Sequence, residues 1–188
     1  FSGSTSVQDA DDNTLGFWNL DETSGSQASD SSSSNRHGNL KNGPSWITGL
    51  YDNGLEFDGS DDYVELPELI PGDVFDVVTI EAWVKLQSEI GDGDDLIIFG
   101  SGKDGIMKVA INDDEEPFIY VKSSSFGTKT VTSDTSLVLG YWYHIAAIYD
   151  SEEDSIQIYL NHKLVANESI STNFVLQRFA TQKNSIGS

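Results

Sequence analysis

The feature that most constrains the fold is a two-residue alternation of side chains in short runs along most of the chain. In TIEAWVKL (79–86) the aliphatic residues occupy every second position, and Glu81, Trp83 and Lys85 fall on the opposite face. A period of two, in runs rich in β-branched and aromatic residues, is typical of strands. Runs of this kind occupy residues 16–22, 54–59, 62–68, 77–86, 95–101, 106–112, 117–123, 141–150 and 155–165, and NSIGS closes the chain.

Turn residues separate these runs, as at Asn53-Gly54, Asp58-Gly59 and the GDGD segment at 91–94. No window of about 11 residues shows a sustained helical stripe of apolar residues. Many short strands joined by Gly, Asn and Asp turns indicate a β-sandwich or a barrel. We predict one all-β domain over residues 15–188, preceded by a polar lead-in or linker at residues 1–14.

The charge is strongly acidic, with 31 Asp and Glu against 10 Lys and Arg and a formal net charge of −21. Proteins that bind nucleic acid neutralise phosphates with Lys and Arg, so we predict no nucleic-acid partner. Docking on an anionic membrane is disfavoured in the same way. No segment approaches the roughly 18 apolar residues of a membrane span, so we predict no membrane insertion. A well-solvated surface, divalent-cation binding and life in a salty medium all remain compatible with this acidity.

The start of the chain shows no basic segment followed by an apolar one, so no signal peptide is visible. Beginning at Phe1 without a Met suggests a mature protein or a piece of a larger one. The absence of cysteine leaves the redox compartment open. The Ser-rich stretch SDSSSSNR (29–36) is predicted to be a surface loop.

Several longer motifs occur in a fixed order along the chain. They are GFWNLDETSGS (16–26), DSSSSNRHGNL (30–40), FDGSDDYVEL (57–66), TIEAWVK (79–85), LGYWYHIAAIYD (139–150) and IYLNHKLV (158–165). In this order they resemble the laminin-G-like jelly-roll modules of the concanavalin A-like superfamily. The resemblance covers nearly all of residues 15–188 and implies a two-sheet antiparallel β-sandwich, the concanavalin A-like jelly roll.

The resemblance also implies a function. Such modules recognise carbohydrate or an extracellular protein ligand, beside neighbouring domains of a longer secreted or cell-surface protein. A structural spacer in an adhesin and a degenerate polysaccharide-active enzyme domain are the alternatives, because the fold alone does not determine function.

The chain departs from the family pattern at two places. The family's Asn-Gly turn reads Asn161-His162, so we expect Asn161 to adopt the left-handed conformation in a tight hairpin. The family also continues after a sequence like SIGS with a final strand beside the first one. We therefore expect the domain in this chain to lack its last strand, which would leave the first strand with an unpaired edge.

The resemblance further implies a structural calcium ion that ties the opening strand to nearby loops. Calcium binds six to eight oxygen ligands, which acidic loops supply readily. The matching positions are Asp21, Glu22, Asp30 and Asp58. The alternative is that Asp30 forms an Asx-turn and Asp58 caps a β-turn. The second acidic cluster, at 91–95, fails the EF-hand spacing and is predicted to be a solvated turn.

Enzymatic chemistry finds little support in the sequence. Glucanases of the superfamily place carboxylates along one strand in a Glu-x-Asp-x-x-Glu pattern, which this chain lacks. His37, His144 and His162 are scattered, and there is no cysteine nucleophile or GxSxG motif. We therefore predict no catalytic residues.

Aromatic residues on strand patterns are the remaining candidates for ligand contact. Trp18, Trp83 and Trp142 are predicted to belong to the core. Tyr120, Tyr141 and Tyr159 are predicted to be the ligand-binding residues.

Overall fold

The computed structural model describes residues 10–69, 75–101, 105–176 and 184–187, and strands dominate them. The strands are β1 (Gln27–Ala28), β2 (Gly38–Lys41), β3 (Ser45–Thr48), β4 (Asn53–Glu56), β5 (Tyr63–Leu66), β6 (Val77–Val84), β7 (Leu96–Ser101), β8 (Met107–Ile111), β9 (Pro117–Ser123), β10 (Gly127–Thr132), β11 (Tyr143–Asp150), β12 (Ser155–Leu160), β13 (Lys163–Ser169) and β14 (Asn184–Ile186). Each pairing between them is antiparallel. The all-β prediction is therefore confirmed.

Two large sheets face each other across the main core. The larger sheet has eight strands in the order β1-β2-β5-β14-β7-β8-β9-β10, and the smaller has four in the order β13-β12-β11-β6. Ile119 and Val121 of β9 and Ile156 and Ile158 of β12 all lie in this core and are at most 1% exposed. The predicted two-sheet antiparallel β-sandwich is confirmed.

Alternation along β11 shows why its sequence forms a half-buried strand. Ile145, Ala147 and Tyr149 are buried in the main core, whereas the residues that alternate with them, His144, Ala146 and Ile148, lie on the outer face. An isolated strand cannot shield its apolar residues, so the sheet is held by packing against the other layer. The same alternation determines which side chains the four-stranded sheet presents to solvent.

A second, smaller core lies beneath the hairpin formed by β3 and β4. Its buried residues are Ala28, Val64, Leu66 and Phe99, and Trp18 and Trp46 pack against them. The indole nitrogen of Trp46 donates a hydrogen bond to the carbonyl of Gly25 at 2.9 Å. The hairpin and the loop after the predicted opening strand are thus held together.

The prediction of an opening strand at residues 16–22 is wrong. Within that segment Trp18 forms one isolated bridge, with Asp30, and no strand is present. The amide of Phe17 donates to the Asp30 side chain instead of to a neighbouring strand, and Leu20 has a φ of 56°. A left-handed residue interrupts the extended backbone that a strand requires.

Four strands lie outside the predicted runs, namely β1, β2, β3 and β10. The run at 155–165 is a hairpin rather than one strand, with Asn161 at a φ of 48° and His162 at 67°. Two positive φ values in a two-residue loop define a type I′ turn. The left-handed conformation expected for Asn161 is confirmed.

The predicted domain limits stay a prediction. Residues 1–9 of the predicted lead-in lie outside the described residues, and residues 11–14 form a turn in which Thr14 N donates to the Asp11 carbonyl.

The last described strand, β14, lies between β5 and β7 in the larger sheet, and β6 pairs with β11 in the smaller one. Among the described residues, no helix is long and apolar enough to cross a membrane.

Candidate functional site

Four side-chain rings are linked by successive ring contacts at the outer face of the four-stranded sheet. We call Tyr51, Trp83, His144 and His162 the aromatic row. Successive ring centroids are 6.2 Å apart from Tyr51 to Trp83, 5.2 Å from Trp83 to His144 and 5.6 Å from His144 to His162. Tyr51 is 65% exposed and Trp83 44% exposed. Large apolar side chains that stay exposed next to one another are typical of binding surfaces.

Three structural elements bring these rings together. Alternation along β6 turns Ile80 and Val84 toward the main core, so Trp83 points outward. The antiparallel register places His144 of β11 directly opposite Trp83. Tyr51 comes from the loop between β3 and β4 and meets Trp83 edge to face, with an interplanar angle of 81°.

His162 joins the row from the β12–β13 turn. The turn is held against β11 because Asn161 Oδ1 accepts a hydrogen bond from His144 N, and Asn161 N donates to the His144 carbonyl, each at 2.9 Å. The His162 ring then stacks on the His144 ring at an interplanar angle of 23°.

One carboxylate lies beside the row. Glu81 is two residues before Trp83 on the same face of β6, and its Oε2 is 3.6 Å from Nε2 of His144. The Glu81 side chain is 61% exposed and the His144 side chain 17%. His144 is therefore the enclosed centre of the row, and Glu81 adds an exposed hydrogen-bond acceptor at its edge.

The prediction that the three tryptophans belong to the core holds for Trp18 and is wrong for Trp83 and Trp142, which belong to neither core cluster of the described residues. Trp18 packs against the smaller core, and its indole nitrogen donates to the Arg36 carbonyl at 3.0 Å. Trp142 is partly exposed, and the Lys85 ammonium lies 5.1 Å from the centroid of its ring. Trp83 instead shares the face of β6 that carries the charged residue Glu81.

The three tyrosines predicted to bind ligand do not lie on one surface. Tyr159 is on the outer face of β12 beside the aromatic row, where its hydroxyl donates to Gln157 Oε1 at 3.0 Å. Tyr141 is 65% exposed in the turn before β11. Tyr120 alternates with the buried residues of β9, so it faces away from the core on the eight-stranded sheet. Tyr120 and Tyr159 therefore lie on opposite faces of the sandwich.

Acidic residues converge at the turn between β4 and β5. Carboxylate oxygens of Asp58, Asp61 and Asp62 lie within 4.8 Å of one another. Asp58 Oδ1 accepts a hydrogen bond from Ser60 N at 2.8 Å, which is the turn-capping contact expected as its alternative role. Asp58 was a predicted metal ligand, whereas Asp61 and Asp62 were not predicted.

Asp30 and Asp62 are buried carboxylates with different partners, and each residue is 5% exposed. The two oxygens of Asp30 accept four hydrogen bonds, from the amides of Phe17, Ser32 and Arg36 and from the Ser32 hydroxyl. Among the described residues, Asp62 accepts one hydrogen bond, from Asp58 N at 3.1 Å. A carboxylate has about four acceptor positions, so those of Asp30 are filled, whereas the described residues fill one of those of Asp62.

The hydrogen bonds also determine the acidity of Asp30. Burial by itself would raise the pKa of this carboxyl group, but the amide donors of Phe17, Ser32 and Arg36 outweigh burial and hold the pKa below its usual value. Asp30 thereby organises the Ser-rich loop, and its role as a metal ligand stays a prediction.

The other two predicted metal ligands lie in the loop before β1. Glu22 Oε1 accepts a hydrogen bond from Ser29 N at 2.6 Å, whereas Oε2 is buried and accepts none from the described residues. Asp21 is exposed, and its carbonyl accepts a hydrogen bond from Asn53 at the start of β4. Asp58 follows the end of β4, and the described three-carboxylate group includes neither Asp21 nor Glu22. The four predicted ligands therefore do not converge.

The comparison with protein families gives a match over most of the chain. A laminin-G family model, described as the concanavalin A-like lectin/glucanases superfamily, matches residues 58–188. A search against curated protein sequences found no match.

Solved structures share the fold. Domain 4 of AbnA, an extracellular GH43 arabinanase from Geobacillus stearothermophilus solved with arabinotriose, has a TM-score of 0.64 at 17% identity, over 84% of this chain and 76% of that one. The binding domain of botulinum neurotoxin serotype G has a TM-score of 0.60 at 17% identity, over 84% and 42%. An S-layer domain-containing protein of Clostridium thermocellum has a TM-score of 0.50 at 26% identity, over 85% and 75%.

Proposed function

The chain belongs to the concanavalin A-like lectin/glucanases superfamily, and we propose that it is a non-catalytic carbohydrate-binding module. The observation that supports the proposal most strongly is the aromatic row, because exposed, rigid rings are the surfaces on which the C–H faces of sugars pack. The arabinanase domain of the same fold was solved with a bound sugar, which makes carbohydrate the first ligand class to test.

We place the module outside the cell or at its surface, as one part of a longer protein. The arabinanase that shares its fold is described as extracellular, and another protein of similar fold is described as containing an S-layer domain. The strongly acidic surface suits a soluble, well-hydrated module.

The non-catalytic part of the proposal is supported by the placement of carboxylates. The superfamily's glucanases align three carboxylates on one strand. The segment of this chain that is most similar in spacing, Glu56-x-Asp58-x-x-Asp61, begins at the last residue of β4 and continues into a turn. A turn does not present its side chains along one face as a strand does, so this segment does not reproduce the glucanase arrangement.

We also propose a structural calcium ion at Asp58, Asp61 and Asp62. Calcium–oxygen distances of about 2.4 Å allow two ligands of one ion to lie as much as roughly 5 Å apart, and the three carboxylates lie within 4.8 Å. A buried carboxylate with few hydrogen bonds is costly unless a positive charge compensates it, and Asp62 accepts one hydrogen bond from the part of the chain that the structure describes. Bound calcium would join β4 to β5 and neutralise the repulsion between these acids.

Binding to immobilised and soluble polysaccharides tests the carbohydrate proposal. We expect saturable binding to at least one polysaccharide in affinity electrophoresis and calorimetry, with no release of reducing sugar. If the chain is instead a structural spacer, no polysaccharide will bind. Turnover would favour a degenerate enzyme, and the Asp58→Asn and Asp61→Asn variants would then identify the acids involved.

Thermal melting tests the calcium proposal, because a ligand that binds only the native state raises Tm. We expect Tm to rise with calcium and fall with EDTA for the wild type, and we expect Asp61→Asn and Asp62→Asn to lose this response. Asp92→Asn, in the exposed turn at 91–94, is the matched control and should keep it. If Glu22→Gln abolishes the rise in Tm with calcium and Asp61→Asn keeps it, the ion binds at the loop before β1 instead. If calcium does not change the Tm of the wild type, the calcium proposal is refuted.

A further inference from the structure

We propose that the aromatic row is the carbohydrate-contacting surface, and that its ligand is a neutral polysaccharide bound along internal sugar units. This inference rests on the proposed function, and it adds the position of the site and the class of glycan. Four observations support it: the geometry of the rings, the backbone of His162, the polar groups at the edge of the row, and the charge of the molecule.

The rings form a supported platform rather than a set of loose side chains. Trp83 is in contact with Tyr51 on one side and His144 on the other, and His144 in turn stacks on His162. Rings that already pack against one another lose little conformational freedom when a ligand binds. The packing leaves Tyr51 65% exposed and Trp83 44% exposed, so apolar surface is available to the ligand.

The backbone at His162 suggests that its ring has a role beyond folding. His162 has a φ of 67° at the second position of a type I′ turn, where glycine is preferred because it has no Cβ. A side chain in this conformation is strained, and such strain is concentrated at functional sites. At this position the strained backbone conformation brings the His162 imidazole into the aromatic row, whereas closing the hairpin does not require an imidazole.

The edge of the row offers the polar contacts that sugars need. Glu81 presents a carboxylate that is 61% exposed beside His144, and Tyr159 and Gln157 extend the polar surface along β12. Carbohydrates bind through apolar faces together with hydroxyl groups that donate to such acceptors. Stacking and hydrogen bonding are thus both available within one face of the sheet.

The shape of the row favours a chain over a terminal sugar. Tyr51 and Trp83 are exposed with ring centroids 6.2 Å apart, which is comparable with the length of one sugar unit in a polysaccharide, and His162 is exposed on the far side of the enclosed His144 ring. A chain end is instead recognised by a pocket that encloses it. Exposed rings on both sides of the enclosed His144 suit several units of an extended chain rather than one terminal sugar.

The negative charge of the protein favours neutral polysaccharide chains over acidic ones. The protein has a net charge of −21, and next to Trp83 the carboxylate of Glu81 is offset by the ammonium of Lys85, so the field of the whole molecule decides the preference. Uronic-acid and sulfated polysaccharides would be repelled by this field. A neutral polysaccharide avoids that repulsion.

The test uses a matched pair of tyrosines. Tyr51 and Tyr141 are each 65% exposed, but only Tyr51 belongs to the row. Affinity for neutral arabinan, xylan, mannan and β-glucan, and for acidic pectate, would be measured by affinity electrophoresis and calorimetry. We expect the wild type to bind a neutral polysaccharide, Tyr51→Ala and Trp83→Ala to weaken binding by about tenfold or more, and Tyr141→Ala to leave it unchanged.

His162→Gly separates a binding role from a structural one. Glycine relieves the left-handed strain, so Tm should stay the same or rise while affinity falls, whereas a purely structural role would move both together. Unchanged affinity in Tyr51→Ala, Trp83→Ala and His162→Gly, with the wild type still binding, would overturn the position of the site but leave the proposed function intact. Preference for pectate would overturn the ligand class, and no binding by the wild type would overturn both proposals.

Discussion

The hydroxyl of Tyr149 donates a hydrogen bond to the carbonyl of Phe174 at 2.5 Å, in the interior of the sandwich. Tyr149 is on β11 and is fully buried, and Phe174 follows β13 in the chain and is 4% exposed. Their rings also meet, with centroids 6.4 Å apart. One side chain thus anchors the segment after the last strand of the smaller sheet to the centre of that sheet.

Tyr149→Phe should destabilise the protein by about 1–3 kcal/mol, because the Phe174 carbonyl is left buried without its donor. Burial also raises the pKa of the Tyr149 hydroxyl above its ordinary value. The unfolded chain then loses this proton first as pH rises, so the stability from this group is complete below about pH 10 and declines above it. Urea unfolding at pH 7 and at about pH 10.5 measures both effects.

Tyr141→Phe is the control for this prediction, since Tyr141 is 65% exposed. It should match the wild type at both pH values. A Tyr149→Phe variant within about 0.5 kcal/mol of the wild type would show that the hydrogen bond contributes little.

Gly38→Ala should destabilise the smaller core. A Cβ at Gly38 would lie 2.4 Å from Val64 Cγ1 and 2.8 Å from Leu66 Cδ2, and both of those side chains are fully buried. Overpacking of this kind costs about 1–3 kcal/mol. Val64→Ala removes one of the clashing atoms, so the double variant should be less destabilised than the sum of the two single variants. Purely additive losses in urea unfolding would contradict the proposed close approach.

Periodicity predicted the parts of the fold in which packing follows sequence directly. β6 and β11 occupy runs with strict alternation, and their inward residues form the main core as expected. β10 was not predicted because GTKTVT pairs along the sheet while burying mainly Val131. The strand prediction for residues 16–22 was wrong for the opposite reason. The aromatic pattern of this segment resembles a strand, but the amide of Phe17 donates its hydrogen bond to the Asp30 side chain instead of to a neighbouring strand.

The aromatic row was missed because it is assembled from residues far apart in the sequence. Alternation placed Trp83 on the face of Glu81 and Lys85, which was the available signal that it is exposed. Tyr51 and His162 come from turns, whose side-chain directions depend on backbone conformations that periodicity does not predict. Only His144, directly opposite Trp83 in the antiparallel register, could have been placed from strand pairing.

The acidic turn was predicted in part. Asp58 was chosen from the family pattern, whereas Asp61 and Asp62 stand in the same motif and were not chosen. The sequence could not show that, within the described residues, buried Asp62 accepts one hydrogen bond and buried Asp30 accepts four, because those partners come from loop geometry.

The ion pair between Lys129 and Glu168 connects β10 of the larger sheet to β13 of the smaller one. The two side chains are 34% and 52% exposed, so solvent screens the attraction. Lys129→Ala should therefore cost less than about 1 kcal/mol. Ile158→Ala, in the core between the same sheets, should cost about 2–5 kcal/mol. Equal losses in the two variants would mean that the ion pair contributes as much as packing to holding the sheets together.

Asp30→Asn should destabilise the Ser-rich loop at neutral pH by at least about 2 kcal/mol, since an amide nitrogen cannot accept the hydrogen bonds of a carboxylate oxygen. The acid dependence follows from the pKa of Asp30, which lies below its usual value in the folded protein. The unfolded chain takes up this proton first as pH falls below about 4, so the stability contributed by Asp30 is present above that pH and is lost toward the lower folded pKa. The difference between wild type and Asp30→Asn should therefore shrink between pH 7 and pH 3 in urea unfolding. Asp114→Asn, at an exposed turn, should follow the wild type throughout. A difference that stays constant with pH would mean that Asp30 stabilises the loop equally well in its protonated form.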